Sequence, residues 1–235
     1  MLRSSSNCAS AASLEVCDAV FARHANSGEA TRVSEDLDAE RFPTVAEYLR
    51  GLPGGLAAYP DCKVRGGLVN SILHAFELDA RGLPDSLCQW IDSPPLQSEW
   101  MPQVAARAFL RVLFDQRLKT REAYLQWAYE SQKKVLSGPL YRILFLGISP
   151  QRLVRVAASR YAHFHQGLTF TIEHQSSQQA TAMLRYPTNL CTPFDHVSTL
   201  EGLRGGIELA GGKQVQTRVI DHTHNSARLQ VDWKD

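Results

Sequence analysis

Along the last third of the chain apolar and polar residues alternate, and before it apolar residues recur at helical spacing. Leu168, Phe170 and Ile172 alternate with Thr169, Thr171 and Glu173, the period of two that buries one strand face and wets the other. The polar run 175–179 is short, so Ala180 to Tyr186, with Ala182, Leu184 and Tyr186 on one face, is expected to fold back as an antiparallel partner ended by Pro187. Thr192-Pro193 supplies a cap and a first-turn proline for a helix. Phe194, Val197, Leu200, Leu203, Ile207 and Ala210 follow at three- and four-residue steps, and Gly211-Gly212 stops it. Val215, Thr217 and Val219, then Ala227, Leu229, Val231 and Trp233 across a polar turn, predict a second hairpin. The expected order is strand, strand, helix, strand, strand.

The preceding sequence has the pattern of helices that pack on one face of this sheet. Thr44 to Glu47 has a capping-box pattern, and Gly51 to Gly55 breaks the short helix that it opens. Leu68, Val69, Ile72, Leu73 and Phe76 form a stripe, and Pro84-Asp85 opens a further turn through Leu87 and Trp90. Trp100 to Gln116 and the segment capped by Thr120, bearing Tyr124 and Trp127, predict two antiparallel helices. Leu140 to Ile148 is apolar enough for a buried helix, and Ser149-Pro150 starts another that runs to Gly167. The prediction is an α+β fold with N-terminal helices on a small antiparallel sheet, as one sensor-like domain over 61–235. Residues 1–60, rich in Ser and Ala at the start, are expected to form a loosely docked arm.

Charge and cysteine content narrow the classes. Lysine and arginine number 25 against 24 aspartates and glutamates, which removes the whole-chain electrostatic case for nucleic acid or an anionic membrane. The 5 cysteines, Cys8, Cys17, Cys62, Cys88 and Cys191, are odd in number and lack a Cys-x-x-Cys spacing, so reduced thiols are expected. Neither a secretion signal nor a run of about 20 apolar residues is present, which points to the cytoplasm and no membrane span.

Candidate chemistry is sparse. His163-Phe164-His165 and His222-Thr223-His224 each set two imidazoles at a spacing that a strand can offer to one metal. With no third ligand at a readable spacing, solvated histidines and no stoichiometric metal are expected. Asp195-His196 with Ser198 resembles part of a nucleophile set, but a first-turn acid complements the helix dipole and no Gly-x-Ser-x-Gly elbow is present. Phosphate-cradling and dinucleotide-binding glycine motifs are absent. The aromatic residues Trp100, Phe109, Trp127, Phe145, Tyr161, Phe164 and Phe170 are candidates to line an apolar pocket between helices and sheet, with plain core packing as the alternative.

Five short landmarks occur in order: Val64-Arg65-Gly66-Gly67-Leu68-Val69, Glu99-Trp100-Met101-Pro102, Tyr186-Pro187, Thr199-Leu200-Glu201-Gly202 and Val231-Asp232-Trp233. Through them the chain from about Val64 onward resembles an uncharacterised paralogous family expanded in myxobacteria. By element order that family is similar to haem-nitric-oxide-binding, four-vinyl-reductase and vesicle-tethering-subunit domains. The resemblance implies a non-enzymatic sensor or adaptor that binds a small apolar ligand or a protein partner. The haem sensors' Tyr-x-Ser-x-Arg motif is not matched by Arg185-Tyr186-Pro187-Thr188, and no histidine aligns with their iron ligand, so haem is disfavoured. The alternative is an enzyme acting on a small substrate, with His163, His165, Asp195 or His196 converging in an open helix–sheet cleft. Edge strands of a small sheet also lead to an expectation of self-association or a protein partner.

Overall fold

The computed structural model describes residues 36–74, 76–136, 138 and 147–234. Helix α1, Pro43–Arg50, is followed by a single 3-10 turn at Gly55–Ala57 and by β1, Lys63–Arg65. Next come α2, Gly66–Leu73, α3, Asp85–Asp92, β2, Trp100–Pro102, and α4, Gln103–Leu113, which ends in a wider turn at Phe114–Leu118. Helices α5, Arg121–Leu136, and α6, Pro150–Phe164, lead into β3, His165–Gln166. The remainder is β4, Thr169–Gln175, β5, Gln179–Arg185, α7, Pro193–Leu209, β6, Lys213–Thr223, and β7, Ser226–Lys234. The α+β architecture expected from the sequence is therefore the one observed, including the strand, strand, helix, strand, strand order.

The principal sheet is antiparallel in the order β4-β5-β7-β6, so the two hairpins meet through their second strands. Phe170 lies opposite Leu184, and Ala182 lies between Ile172 and Leu229. Because side chains alternate along each strand, this register puts Phe170, Ile172, Ala180, Ala182, Leu229 and Val231 on the face toward the helices. Each outer strand is bulged, near Glu173 on β4 and near Ile220 on β6, where one extra residue leaves the ladder.

A second sheet, ordered β2-β1-β3, binds the early chain to the approach of the main sheet. Trp100 to Pro102 is thus strand rather than the expected first turn of a helix: the Pro102 ring Cδ clashes with helical backbone at the residue before it, and helix α4 opens only at Gln103. Thr44 also departs from its expected role. It does not cap α1; its N–H and hydroxyl both donate to the Asp115 carboxylate, at 3.1 and 2.9 Å. Phe42, Val45, Leu49 and Leu52 join the same core as Val64, Phe109 and Leu229, so the packed body begins before residue 61. The earlier part of the expected arm, before residue 36, and most of the expected helix at 140–148 lie outside the described residues.

The turn from β3 to β4 depends on one glycine. Gly167 has φ +75°, and a Cβ there would lie 2.5 Å from Cys62 Sγ. Gly167→Ala should therefore lower stability by about 1–3 kcal/mol through backbone strain alone. Urea unfolding would show this as a lower midpoint with an unchanged slope.

Candidate functional site

The sheet's inner face and the helices frame a half-open cavity of about 410 Å³. Phe170, Ile172, Ala182, Leu229 and Val231 form its floor. Helix α6 presents Val154, Ala157 and Tyr161, α7 presents Gly202, Leu203 and Gly206, and α5 and α4 add Trp127, Gln132, Ala106 and Arg107. The space has a local cause: Ala182 on the sheet faces Ala157, Ala106, Gly202 and Gly206 on the helices, and none of these has a side chain long enough to cross it.

One wall is a stack of rings. His165 lies face to face on Tyr161 with centroids 4.1 Å apart, and Tyr161 stacks on Phe170 at 5.0 Å. The backbone of His165 is held opposite Val64, and Gln103 Nε2 lies 3.1 Å from its Nδ1. Burial, with Arg107 nearby, pushes the His165 pKa down to about 3, so the ring is neutral. With the Gln103 amide donating to Nδ1, the His165 proton is on Nε2; with that amide turned over, Nδ1–H donates and Nε2 is free to accept.

Beside the stack is a buried charge cluster. Asp195, in the first turn of α7, accepts both arms of the Arg111 guanidinium at 2.9 Å and receives the Thr192 N–H at 2.8 Å. Arg107, one helical turn before Arg111, approaches the same carboxylate at 3.1 Å. Its Nε is buried without a hydrogen-bond partner, an omission that costs about 1–3 kcal/mol or more in a charged group. Arg111 lies between rings, 3.9 Å from the Tyr48 centroid and 4.8 Å from that of Phe194. Burial raises the Asp195 pKa, but Arg111 and Arg107 outweigh it and hold the carboxyl well below its usual range. Burial pushes the Cys191 thiol up to about 12 and Tyr48 above its ordinary value, so neither adds negative charge.

Of the residues singled out in the sequence, Trp127, Tyr161, Phe164, Phe170, His163, His165, Asp195 and Ser198 line the cavity, so of the set expected for an enzyme cleft His163, His165 and Asp195 do share its lining. Phe109 is fully buried in the core instead, and Trp100 is on β2 with the Arg65 guanidinium 3.8 Å above its ring. Phe145 lies outside the described residues. His222 is on β6 of the second hairpin, its ring centroid 5.2 Å from that of His196, and His224 is in the hairpin's turn, both apart from the cavity. Among the described residues no three His, Cys, Asp or Glu side chains gather as a metal site. His196 is also apart from the cavity: Tyr186 Oη donates to the Thr223 carbonyl at 3.2 Å and lies 3.3 Å from His196 Nε2. With the phenol proton on the Thr223 carbonyl, Nε2–H donates to Tyr186 and Nδ1 is a bare acceptor; with that proton on Nε2, Nδ1 carries a hydrogen, and in both tautomers Nδ1 is buried without a partner. Burial pushes the His196 pKa down to about 3.

Arg107 and Arg111 were not anticipated. Their signal is a charged pair at i and i+4 within a helix whose residues Gln103 to Phe109 and Arg111 to Leu113 are all buried.

No family model matches this chain, and no curated protein matches it in sequence. Solved structures match it in fold. An oxygen-binding H-NOX domain related to soluble guanylate cyclases, in its oxygen complex, superposes with a TM-score of 0.51 at 8% identity, over 72% of this chain and 93% of that one. A structure from a study of haem distortion in the H-NOX family gives 0.52 at 7% identity, over 73% of this chain and 95% of that one. The chain therefore has an H-NOX-like fold. The same finding corrects the expectation that haem is disfavoured: a missing linear motif does not set the cofactor aside when the fold is one in which haem is studied. The lining meets haem's basic needs in kind, with apolar walls, imidazoles at His163 and His165 and guanidiniums at Arg107 and Arg160.

Two outcomes follow from the electrostatics. Asp195→Asn leaves two buried guanidiniums without a counter-charge and should cost about 3–5 kcal/mol by chemical denaturation. Because the folded-state pKa of His196 is depressed from an unfolded value of about 6.5, the unfolded state binds more protons between that value and about 3. Stability should fall as pH drops through this window, by up to about 1.4 kcal/mol per unit for this residue. His165 adds the same dependence over the same window, so His196→Gln should roughly halve that slope, and His196→Gln with His165→Gln should flatten it, in urea titrations run from pH 7 to pH 4.

Proposed function

We propose that this chain is a non-enzymatic sensor domain that takes a small, largely apolar ligand into the cavity between helices and sheet and passes its occupancy to a protein partner. The observation that carries this reading is the cavity of about 410 Å³, built by small residues that face one another at the centre of the domain. The fold likeness adds support, since one of the matching structures is of an oxygen-binding H-NOX domain. Haem is among the ligands that the cavity must be tested against. His165 or His163 would hold its iron, and Arg160 and Arg107 would face its carboxylates. When bound, it would supply an iron centre for a diatomic ligand.

The chemistry of the wall favours binding over turnover. The Asp195 carboxylate is consumed by two arginines and Thr192, and Ser198, the nearby hydroxyl, accepts from Gln132 Nε2 at 3.3 Å. Neither is arranged as a base beside a nucleophile, and His196, the third member of the expected set, is on another side of the helix against Tyr186.

Gly202 gives a direct test. It is helical and lines the cavity, and a Cβ on it would meet Gln132 Oε1 at an ordinary 3.5 Å. Gly202→Leu should fill the cavity while keeping or raising stability by up to about 1 kcal/mol through helix propensity. In thermal unfolding with palmitate and with haemin as probes, the native chain should gain about 2.7 kcal/mol at a hundredfold excess over Kd. The leucine variant should gain none; an equal gain in both proteins would place binding elsewhere.

A further inference from the structure

We propose that the ligand carries an ionised carboxylate that seats on Arg107, so that the cavity selects apolar acids over their neutral counterparts. This rests on the reading of the cavity as a ligand site and adds the chemical class of its occupant. The cluster at its wall holds two guanidiniums and one carboxylate, Arg107, Arg111 and Asp195, all at least nine-tenths buried. Cys191 and Tyr48 beside them stay protonated because burial raises both, so the cluster has one positive charge without a partner.

The geometry shows which cation is spare. Arg111 takes both Asp195 oxygens at 2.9 Å, donates to Thr192 Oγ1 at 2.8 Å and to the Arg107 carbonyl at 2.9 Å, and is sandwiched by two rings. Arg107 has only the contact of 3.1 Å with an oxygen that Arg111 already occupies, and its Nε has no partner. Arg107 is also on the cavity wall, with Gln103 one turn before it. A guanidinium left with open donors beside an apolar space fits a single planar oxyanion. The open donors of Arg107, with Arg160 as a second cation on the lining, suit a carboxylate, and the alanine, leucine and aromatic lining suits a hydrocarbon or porphyrin body.

Matched acid and ester pairs provide the test: palmitate against methyl palmitate, and haemin against its dimethyl ester, titrated calorimetrically into the full chain at pH 8. Within whichever pair binds, the acid should be tighter by about tenfold or more, the margin of a charge-assisted hydrogen bond. Arg107→Met should bring the acid down to the affinity of its ester and leave the ester unchanged. The ligand-free variant should unfold at or above the native midpoint, because Asp195 keeps Arg111. If an ester binds as tightly as its acid, the carboxylate seat is overturned while the ligand cavity stands. If no member of either pair binds, both fall. An Arg107→Met protein that is unfolded or clearly less stable also overturns the seat, because it makes Arg107 a structural partner of Asp195. The native acid-to-ester ratio is read without any variant, and the pair that binds distinguishes a fatty acid from a porphyrin.

Discussion

The bidentate pair between Arg111 and Asp195 is the joint on which the rest of the packing depends. It fixes the deepest helix, α4, to the first turn of α7, and through the Thr192 N–H and hydroxyl it also fixes the loop that leaves β5. The carboxylate has a second reason to be there, because the exposed N–H groups of a helix start favour negative charge. Rings from α1 and α7 close over the guanidinium, so α1, α4 and α7 share one anchor. Burying such charges costs several kcal/mol per ion before any attraction repays it. A fold that accepts this cost has little freedom to place those helices otherwise.

The cavity follows from that constraint. With α4 and α7 held at one end by the ion pair, the helices would need large side chains at their midpoints to fill the space above the sheet. The sequence puts Ala106, Gly202 and Gly206 there, over Ala182. At the same helix, Phe109, Val112 and Leu113 are fully buried. The contrast between dense packing at α4 and small residues at the centre places the opening locally, apart from any general looseness of the core.

Much of this fold was legible in the sequence because it follows periodicity. Leu168, Phe170 and Ile172, and later Leu229, Val231 and Trp233, alternate cleanly, and both hairpins lie where that pattern puts them. Local propensity was overridden where distant partners took the polar groups, as with Thr44, whose hydroxyl serves Asp115 rather than its own helix, and with Trp100, whose segment pairs with β1. The site was legible only in part. Aromatic spacing pointed to Tyr161, Phe164, Phe170 and Trp127, but could not separate them from Phe109, which differs only in having neighbours on every side. The charge cluster was hidden for a different reason. A lone Arg107 or Arg111 in a helix is ordinarily a solvated side chain, and only the tertiary placement of Asp195, 84 positions from Arg111, makes the pair buried.

The first turn of α7 connects two environments that the sequence gives no reason to join. Asp195 faces the cavity and its arginines, while the adjacent His196 faces away, toward Tyr186 and His222. Tyr186 in turn bonds the Thr223 carbonyl at the end of β6, next to the turn that holds His224. Neighbouring residues in one helical turn cannot shift independently, so any ligand that drew Arg107 away from Asp195 would relax one side of the turn while the other remained hydrogen-bonded to the second hairpin. The unpartnered Nδ1 of His196 makes that far side costly as it stands, because a buried polar nitrogen without a partner gains whenever movement brings one within reach. The turn therefore stands between two unsatisfied groups on its opposite sides, Nε of Arg107 across from Asp195 and Nδ1 of His196.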